Sequence, residues 1–286
     1  MVQVSIIIPG YNEEKDIGKC ISSLQMQSFF DFEMIIVDDG SIDKTVEIVK
    51  SFQKKDKRIK LIKGNHKGPG FSRNLGANKS KGKILVFIDS DMTFDKDYLK
   101  NLIVSMQKDK NLIGTTHDYE IANNLDNLWS RCWGKNRIDL RNKELGGIFR
   151  AIRKDKFLEL GGFDSKYGYA DDQTFWLKYK VLPYIAKNTT CYHKNPETLG
   201  EVYKQSRWIG ASINLKITNL PIIKYFIPFI AVIASPVAIP ILLIKKCYKN
   251  KNFKLFFPWM FIFMSVRYFG TIAGIFRKIY FNKNMR

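Results

Sequence analysis

The chain has 286 residues, 45% hydrophobic and 26% charged, which excludes a disordered, collagenous or low-complexity polypeptide and suffices for a sizeable core. Its four cysteines, Cys20, Cys132, Cys191 and Cys247, stand far apart without a CxxC pair, which excludes a disulfide scaffold and a zinc ribbon and fits a reducing compartment. Lys and Arg number 47 against 27 Asp and Glu, a formal charge of +20, so an anionic partner is expected, either nucleic acid or membrane headgroups.

Met1 leads directly into QVSIIIPGYNEE, an apolar run cut short by Pro9 and Gly10 and unlike a signal peptide, so the front of the chain is expected in the cytosol. Short β runs then alternate with helical patterns. A buried strand is predicted over 2–8, and a helix over 14–27 with Ile17, Cys20, Ile21 and Leu24 on one face. A strand over 32–37 and a helix over 45–54 follow, then strands over 59–62 and 84–88 and a helix over 98–106. This order predicts an α/β fold with a mainly parallel sheet flanked by helices, in which ligands bind beyond the C-terminal strand ends.

Those strand ends carry Pro9-Gly10-Tyr11-Asn12-Glu13, then Asp38-Asp39-Gly40-Ser41, then Asp89-Ser90-Asp91. Adjacent carboxylates repel, and burying them together requires a cation or donors between them. Asp89 and Asp91, one residue apart at a strand exit, can face one Mg²⁺ or Mn²⁺ through oxygen atoms; helix capping is the alternative use of such residues. Between the clusters, HKGPGFSRNLG places a turn before a short helix, and a helix N-terminus with Arg73 is a candidate anion site.

The end of the chain differs in kind. From Leu215 onward there are 12 basic residues and no acidic one. Residues 225–244 (YFIPFIAVIASPVAIPILLI) carry no charge over a length of about 30 Å if helical, the thickness of a bilayer core. Residues 255–276 form a second apolar run broken by Arg267, and Tyr248, Trp259, Tyr268 and Tyr280 lie near the ends of the runs. That is the composition of membrane segments with aromatic and cationic anchors, not of a nucleic-acid tail, and domains at 1–214 and 215–286 are expected. The geometry stays open at this point. A spanning hairpin puts the five lysines of 245–254 outside, against the positive-inside tendency. Pro228, Pro236, Pro240, Pro258 and Arg267 favour shallow insertion, as a central unpaired arginine costs roughly 2.5–3.5 kcal/mol on insertion scales.

Six pieces in order, IIIPGYNEE, IIVDDGSIDKT, GPGFSRNLGA, ILVFIDSDM, GGIFRAIRK with ELGGFD, and YADD, resemble the family 2 glycosyltransferases, which have the GT-A nucleotide-sugar fold. The resemblance implies an inverting transferase that moves a sugar from a UDP- or GDP-sugar to a saccharide or lipid-linked acceptor, with Mg²⁺ or Mn²⁺ and without nucleic acid. It implies that Pro9, Tyr11 and Glu13 face the base and ribose, that Asp39 reads the base with Asp38 beside it among the substrate-binding residues, and that Arg73 and Asn74 lie near the donor. Asp89 then faces the ribose and the cation, with Asp91 and His193 on the cation. Asp172 is the implied base for the acceptor hydroxyl, and Asp171, where the family has Glu, is the runner-up. YKQSRWIG resembles the Q-x-x-R-W element of processive members with Gln205 one place late, which leaves Arg207 and Trp208 as candidate diphosphate contacts. Two further readings are a polyprenyl-phosphate sugar synthase and a non-catalytic membrane-anchored binding protein. A nucleotide-sugar pyrophosphorylase is disfavoured because PGYNEE is not a glycine-rich triphosphate loop.

Overall fold

The computed structural model describes residues 2–140, 147–213, 223–249 and 257–281. Of the expected tail features, Lys216, Lys251, Lys254, Lys283 and Arg286 lie outside those residues. The chain opens with β1 (Val4–Gly10), α1 (Ile17–Gln25), β2 (Phe32–Asp38), α2 (Thr45–Lys55), β3 (Ile59–Lys63) and α3 (Pro69–Lys79). Next come β4 (Ile84–Phe87), β5 (Met92–Phe94), α4 (Tyr98–Lys108), β6 (Gly114–Ala122), α5 (Leu128–Trp133), β7 (Asn136–Asp139) and β8 (Ala151–Arg153). It ends with α6 (Lys154–Glu159), a 3-10 stretch at Ser165–Gln173, α7 (Thr174–Tyr179), β9 (Tyr184–His193), α8 (Leu199–Ser212), α9 (Ile223–Lys249) and α10 (Phe257–Phe281).

Two compact units result. The first joins Met1–Asn123, Asn136–Ser165 and Asp171–Lys194; the second joins Asn124–Lys135, Lys166–Ala170 and Asn195–Arg286.

All strands belong to the first unit, in the order β3-β2-β1-β4-β8-β6-β9-β5, with β7 on β6. β3, β2, β1 and β4 run parallel, the part that the alternating β and α patterns foretell. The remainder is mixed: β8 is antiparallel to β4 and β6, β9 is parallel to β6, and β5 is antiparallel to β9. All seven residues of β1 and of β2 are buried, as expected of strands covered on both faces. Alternation sends Val4, Ile6 and Ile8 into one core with Ile21, Leu24 and Leu102, and Ile7 into the other with Phe87, Phe149 and Phe157. Pro9 is tolerated inside β1 because the β4 ladder ends at Ile7–Phe87, so no carbonyl there awaits its missing N–H.

The first helix begins at Ile17, not at residue 14. Residues before it are spent on the neighbouring loop: Glu14 N–H donates to Asp43 Oδ2 (3.1 Å) and Glu14 Oε2 accepts from Lys44 N–H (3.1 Å).

The second unit packs α5, α8, α9 and α10 around Cys132, Val202, Ile239, Leu243, Met260 and Phe263. Asn127 Oδ1 caps α5 by accepting from the N–H groups of Trp129 and Ser130. Arg267, the charge in the second apolar run, lies with its guanidinium 4.4 Å from the Trp133 ring and 5.7 Å from that of Phe263.

Candidate active site

The parallel register brings the three sequence clusters to one edge of the first unit. Gly10 pairs with Asp38, Asp39 N–H donates to Gly10 O (2.8 Å), and Ile88 N–H donates to Ile7 O (3.1 Å). The Pro9–Glu13 loop, Asp38-Asp39 and Asp89 therefore leave neighbouring strands at the same level.

The first loop and the second are laced together. Asn12 Oδ1 accepts from Ile42 N–H (2.9 Å), and Glu13 N–H donates to Thr45 Oγ1 (2.8 Å). Asp38 accepts from Ser41 N–H. Asp39 is 1% exposed, and its two oxygens accept from the N–H groups of Lys67 (3.0 Å) and Gly68 (2.8 Å). It thus anchors the loop before α3. That loop sets His66 beside Tyr11, ring centroids 4.5 Å apart, in a tilted aromatic wall.

Arg73 lies on α3 and is buried. Nη1 donates to Asp171 Oδ1 (2.8 Å) and Nη2 to Asp89 Oδ1 (2.6 Å). It was expected as an open anion site; instead two protein carboxylates already hold it. Arg150 Nη1 donates to the other Asp89 oxygen (3.2 Å). Burial alone would raise the Asp89 carboxyl, but the two guanidinium groups outweigh it and hold the group well below the usual carboxylate range. Both Asp89 oxygens are engaged, which disfavours the expectation that it shares in holding a cation.

Asn74 does not point outward either. Its carboxamide donates to Phe163 O (2.8 Å) and accepts from Phe163 N–H (2.9 Å), and a Cβ on Gly162 would lie 2.7 Å from its Oδ1. Its place is to hold the GGFD turn on α3.

Asp91 and His193 are brought together by the β5–β9 register, in which Met92 faces His193. His193 Nε2 lies 3.0 Å from Asp91 Oδ1, and its Nδ1 lies 2.6 Å from Glu120 Oε1. Burial and Arg137 push the imidazole down, but the Asp91 and Glu120 carboxylates outweigh them and it is pushed up to about 9. With no cation the ring is therefore an imidazolium paired with Asp91, and a divalent cation would take the place of its Nε2 proton. That nitrogen beside a partly open carboxylate oxygen, with Glu120 behind the ring, is a donor set that fits Mn²⁺, while Mg²⁺ would rely on the carboxylate oxygen.

The acidic pair at the end of the 3-10 stretch is divided. Asp171 is 4% exposed and clamped to Arg73. Asp172 is half-buried and has no hydrogen-bond partner among the described residues. Burial pushes its carboxyl up to about 7, against Arg73 and with help from Asp171. Gly70 is required here by space: a Cβ would sit 2.7 Å from Asp171 Oδ2. Gly70→Ala is therefore expected to displace Asp171 from Arg73. We expect it to lower stability by roughly 1–3 kcal/mol and turnover by about 10-fold or more, read by thermal melting and steady-state rates. An unchanged rate would show that the clamp is dispensable.

Arg207 and Trp208 lie on α8 in the second unit. There Trp208 meets the Tyr169 ring edge to face at 4.9 Å, and Gln205 Nε2 lies 3.5 Å from Tyr169 Oη.

Two residues of the charge network carry no expectation from sequence. Glu120, 2% exposed on β6, receives Arg137 Nε (2.7 Å) and Arg150 Nη2 (3.5 Å) besides His193. Arg150 sits inside the GGIFRAIRK stretch, where one arginine of two gave no sign of being the buried one. His117, Glu120 and Cys191 also lie close enough to share an ion. Glu120 is already taken by Arg137 and His193, however, and burial pushes the Cys191 thiol well up, so the cluster reads as core.

The family model for glycosyl transferase family 2 matches residues 5–159. The chain belongs to glycosyl transferase family 2, and its sheet and flanking helices are the GT-A fold. Among relatives, glycosyltransferase GlyA of Streptococcus pneumoniae is 26% identical over 234 residues, 74% of this chain and 33% of its own length. The GalNAc(5)-diNAcBac-PP-undecaprenol beta-1,3-glucosyltransferase of Campylobacter jejuni is 28% identical over 227 residues, 75% of this chain and 70% of its own. The chain spans one third of the first of these relatives. Among solved structures, S. aureus TarS 1-349 in complex with UDP-GlcNAc has a TM-score of 0.55 at 22% identity, over 76% of this chain and 68% of that one. Mannosyltransferase PcManGT of Pyrobaculum calidifontis, in complex with GDP-Man and Mn²⁺, has a TM-score of 0.63 at 16% identity, over 98% and 88%.

Proposed function

We propose that the chain transfers a sugar, with inversion, from a nucleoside-diphosphate sugar to a hydroxyl of a saccharide or lipid-linked acceptor at the cytosolic membrane face, with Mg²⁺ or Mn²⁺. One observation carries this reading. Of two adjacent carboxylates, Asp171 is locked to Arg73 while Asp172 is left unclamped and titrates near neutrality. A sugar hydroxyl is a poor nucleophile, and a carboxylate poised near the working pH is suited to take its proton.

In this reading Asp172 accepts the acceptor proton as the oxygen attacks the anomeric carbon, opposite the breaking bond to the diphosphate. Arg73 and Asp171 hold the backbone that carries Asp172. Pro9, Tyr11, Glu13, Asp38 and Asp39 form the nucleotide side, with His66 added as an aromatic neighbour of Tyr11. Asp89, held by two arginines, faces the ribose. Asp91 and His193 would hold the cation, whose chemistry when bound is to neutralise the departing diphosphate. Arg207 and Trp208 are kept as candidate diphosphate contacts.

The Campylobacter relative, whose name specifies a PP-undecaprenol-linked acceptor, supports a lipid-linked acceptor, and the basic, acid-free tail supports a membrane setting. The UDP-GlcNAc and GDP-Man complexes of the two fold neighbours leave both nucleotide classes to be screened. The test is release of nucleoside diphosphate from a panel of UDP- and GDP-sugars with Mn²⁺ and undecaprenyl-linked acceptors. Acceptor-dependent release from one class is expected; no release from any donor would overturn the reading.

A further inference from the structure

The apolar part of the second unit poses a problem that its own packing resolves. Among the described residues, one helix, Pro258–Phe281, is long and apolar enough to cross a bilayer. The other apolar run forms two pieces, Tyr225–Ile233 and Ser235–Lys246, bent by 76°. At 1.5 Å per residue these are about 14 and 18 Å long, and neither crosses a core of about 30 Å. Pro236 stands at the bend, where it removes a helix donor.

Besides α9, α10 has a partner that is not apolar. α10 is joined to α8 backbone to backbone: a Cβ on Gly274 would collide with Arg207 O, one on Gly210 with Thr271 O, and one on Gly270 would lie 2.9 Å from Tyr203 O. Further along, Lys278 Nζ donates to Ile213 O (3.1 Å), and at the other end Phe263 meets the Trp133 ring at 5.9 Å. α10 is thus occupied along most of its length by α5 and α8. α8 (LGEVYKQSRWIGAS) exposes Glu201 and Lys204 to the outside. An α10 that crossed the bilayer would draw these charges into hydrocarbon, where they are strongly disfavoured.

Both apolar helices also carry open apolar side chains. Phe226, Ile230, Ile233 and Ile241 of α9 and Phe261 and Phe269 of α10 are all exposed. In sequence, the chain from Leu215 onward has 12 basic residues and no acidic one. Open apolar side chains in a stretch of chain whose only charges are cationic match the headgroup and upper acyl layer of an anionic leaflet.

We infer that the second unit is monotopic: α9 and α10 lie in the plane of a single anionic phospholipid leaflet, with their apolar faces down and α8 on the watery side. The lysines of 245–254 then stay on the same side as Arg277 and Lys278, and the charge conflict of a spanning hairpin disappears. This rests on the membrane reading above, and the test separates the two.

Full-length protein freed of detergent is offered preformed vesicles of phosphatidylcholine with or without phosphatidylglycerol. Binding at least tenfold stronger to the anionic vesicles, weakening with salt, is expected. A soluble dimer that ignores both vesicle types would show the apolar face covered by a second copy and would overturn the membrane reading itself. Topology is read separately with Lys245→Cys in a Cys247→Ser background and an impermeant maleimide. Labelling of intact cells is compared with labelling of inverted membrane vesicles, each as a fraction of the total reached in SDS. Greater labelling in the inverted vesicles is expected; greater labelling in intact cells would mean that the first run crosses, and would overturn the in-plane placement while leaving membrane binding intact.

Discussion

Replacing Asp172 by Asn is expected to lower turnover by about 10²-fold or more while leaving donor affinity nearly unchanged, because the amide keeps the shape and cannot accept a proton. The side chain makes no ion pair that the substitution would break among the described residues. The pH dependence follows from the same group. Its carboxyl is pushed up to about 7 by burial and by Asp171, and only the deprotonated form is a base. Activity should therefore rise about tenfold per pH unit below 7 and level off above it. Asp171→Asn removes a neighbouring negative charge and releases Arg73, and both changes lower the Asp172 value. The acid limb should move to lower pH in that variant, along with a loss of rate from the broken clamp. If Asp171→Asn abolishes transfer at every pH while Asp172→Asn does not, the two roles are exchanged.

Asp91→Ala is expected to abolish turnover and to weaken Mn²⁺ binding by more than the roughly 10–100-fold that loss of an outer partner costs. The outer partner here is Glu120, 2.6 Å from His193 Nδ1, so Glu120→Gln should show that smaller loss. Titration of Mn²⁺ by its paramagnetic resonance reads both without needing turnover. Full activity in EDTA, or Mn²⁺ affinity unmoved in Asp91→Ala, would remove the cation from this place.

The parallel half of the sheet was legible because β1, β2 and β4 are short, mostly apolar and buried runs and α1, α2 and α4 carry apolar residues at helical spacing. Their strand ends announced Asp38, Asp39, Asp89 and Asp91. The mixed half was not legible. β6 reads GTTHDYEIA, a strand whose buried positions include His117, Asp118 and Glu120, so no alternation marks it. Its burial makes sense only once Arg137, Arg150 and His193 surround Glu120, and those come from three other strands or loops. The same limit applies to Arg73 and Asn74. Their loop could be read from its glycines and proline, but whether an arginine faces a ligand or two carboxylates of its own chain depends on Asp171, 98 residues away. The shelter of Arg267 over Trp133 was equally out of reach, since Trp133 belongs to a short helix far earlier in the chain.

The configuration of the product tests the central claim most directly. With a donor that releases its nucleoside diphosphate in hand, NMR of the newly linked sugar reports its anomeric configuration. Single displacement with Asp172 as base requires the opposite configuration from the donor, a β-linked product from an α-linked nucleotide sugar. A product that keeps the donor configuration would contradict it, because retention needs a covalent or same-face route that the Asp171, Asp172 and Arg73 arrangement does not provide.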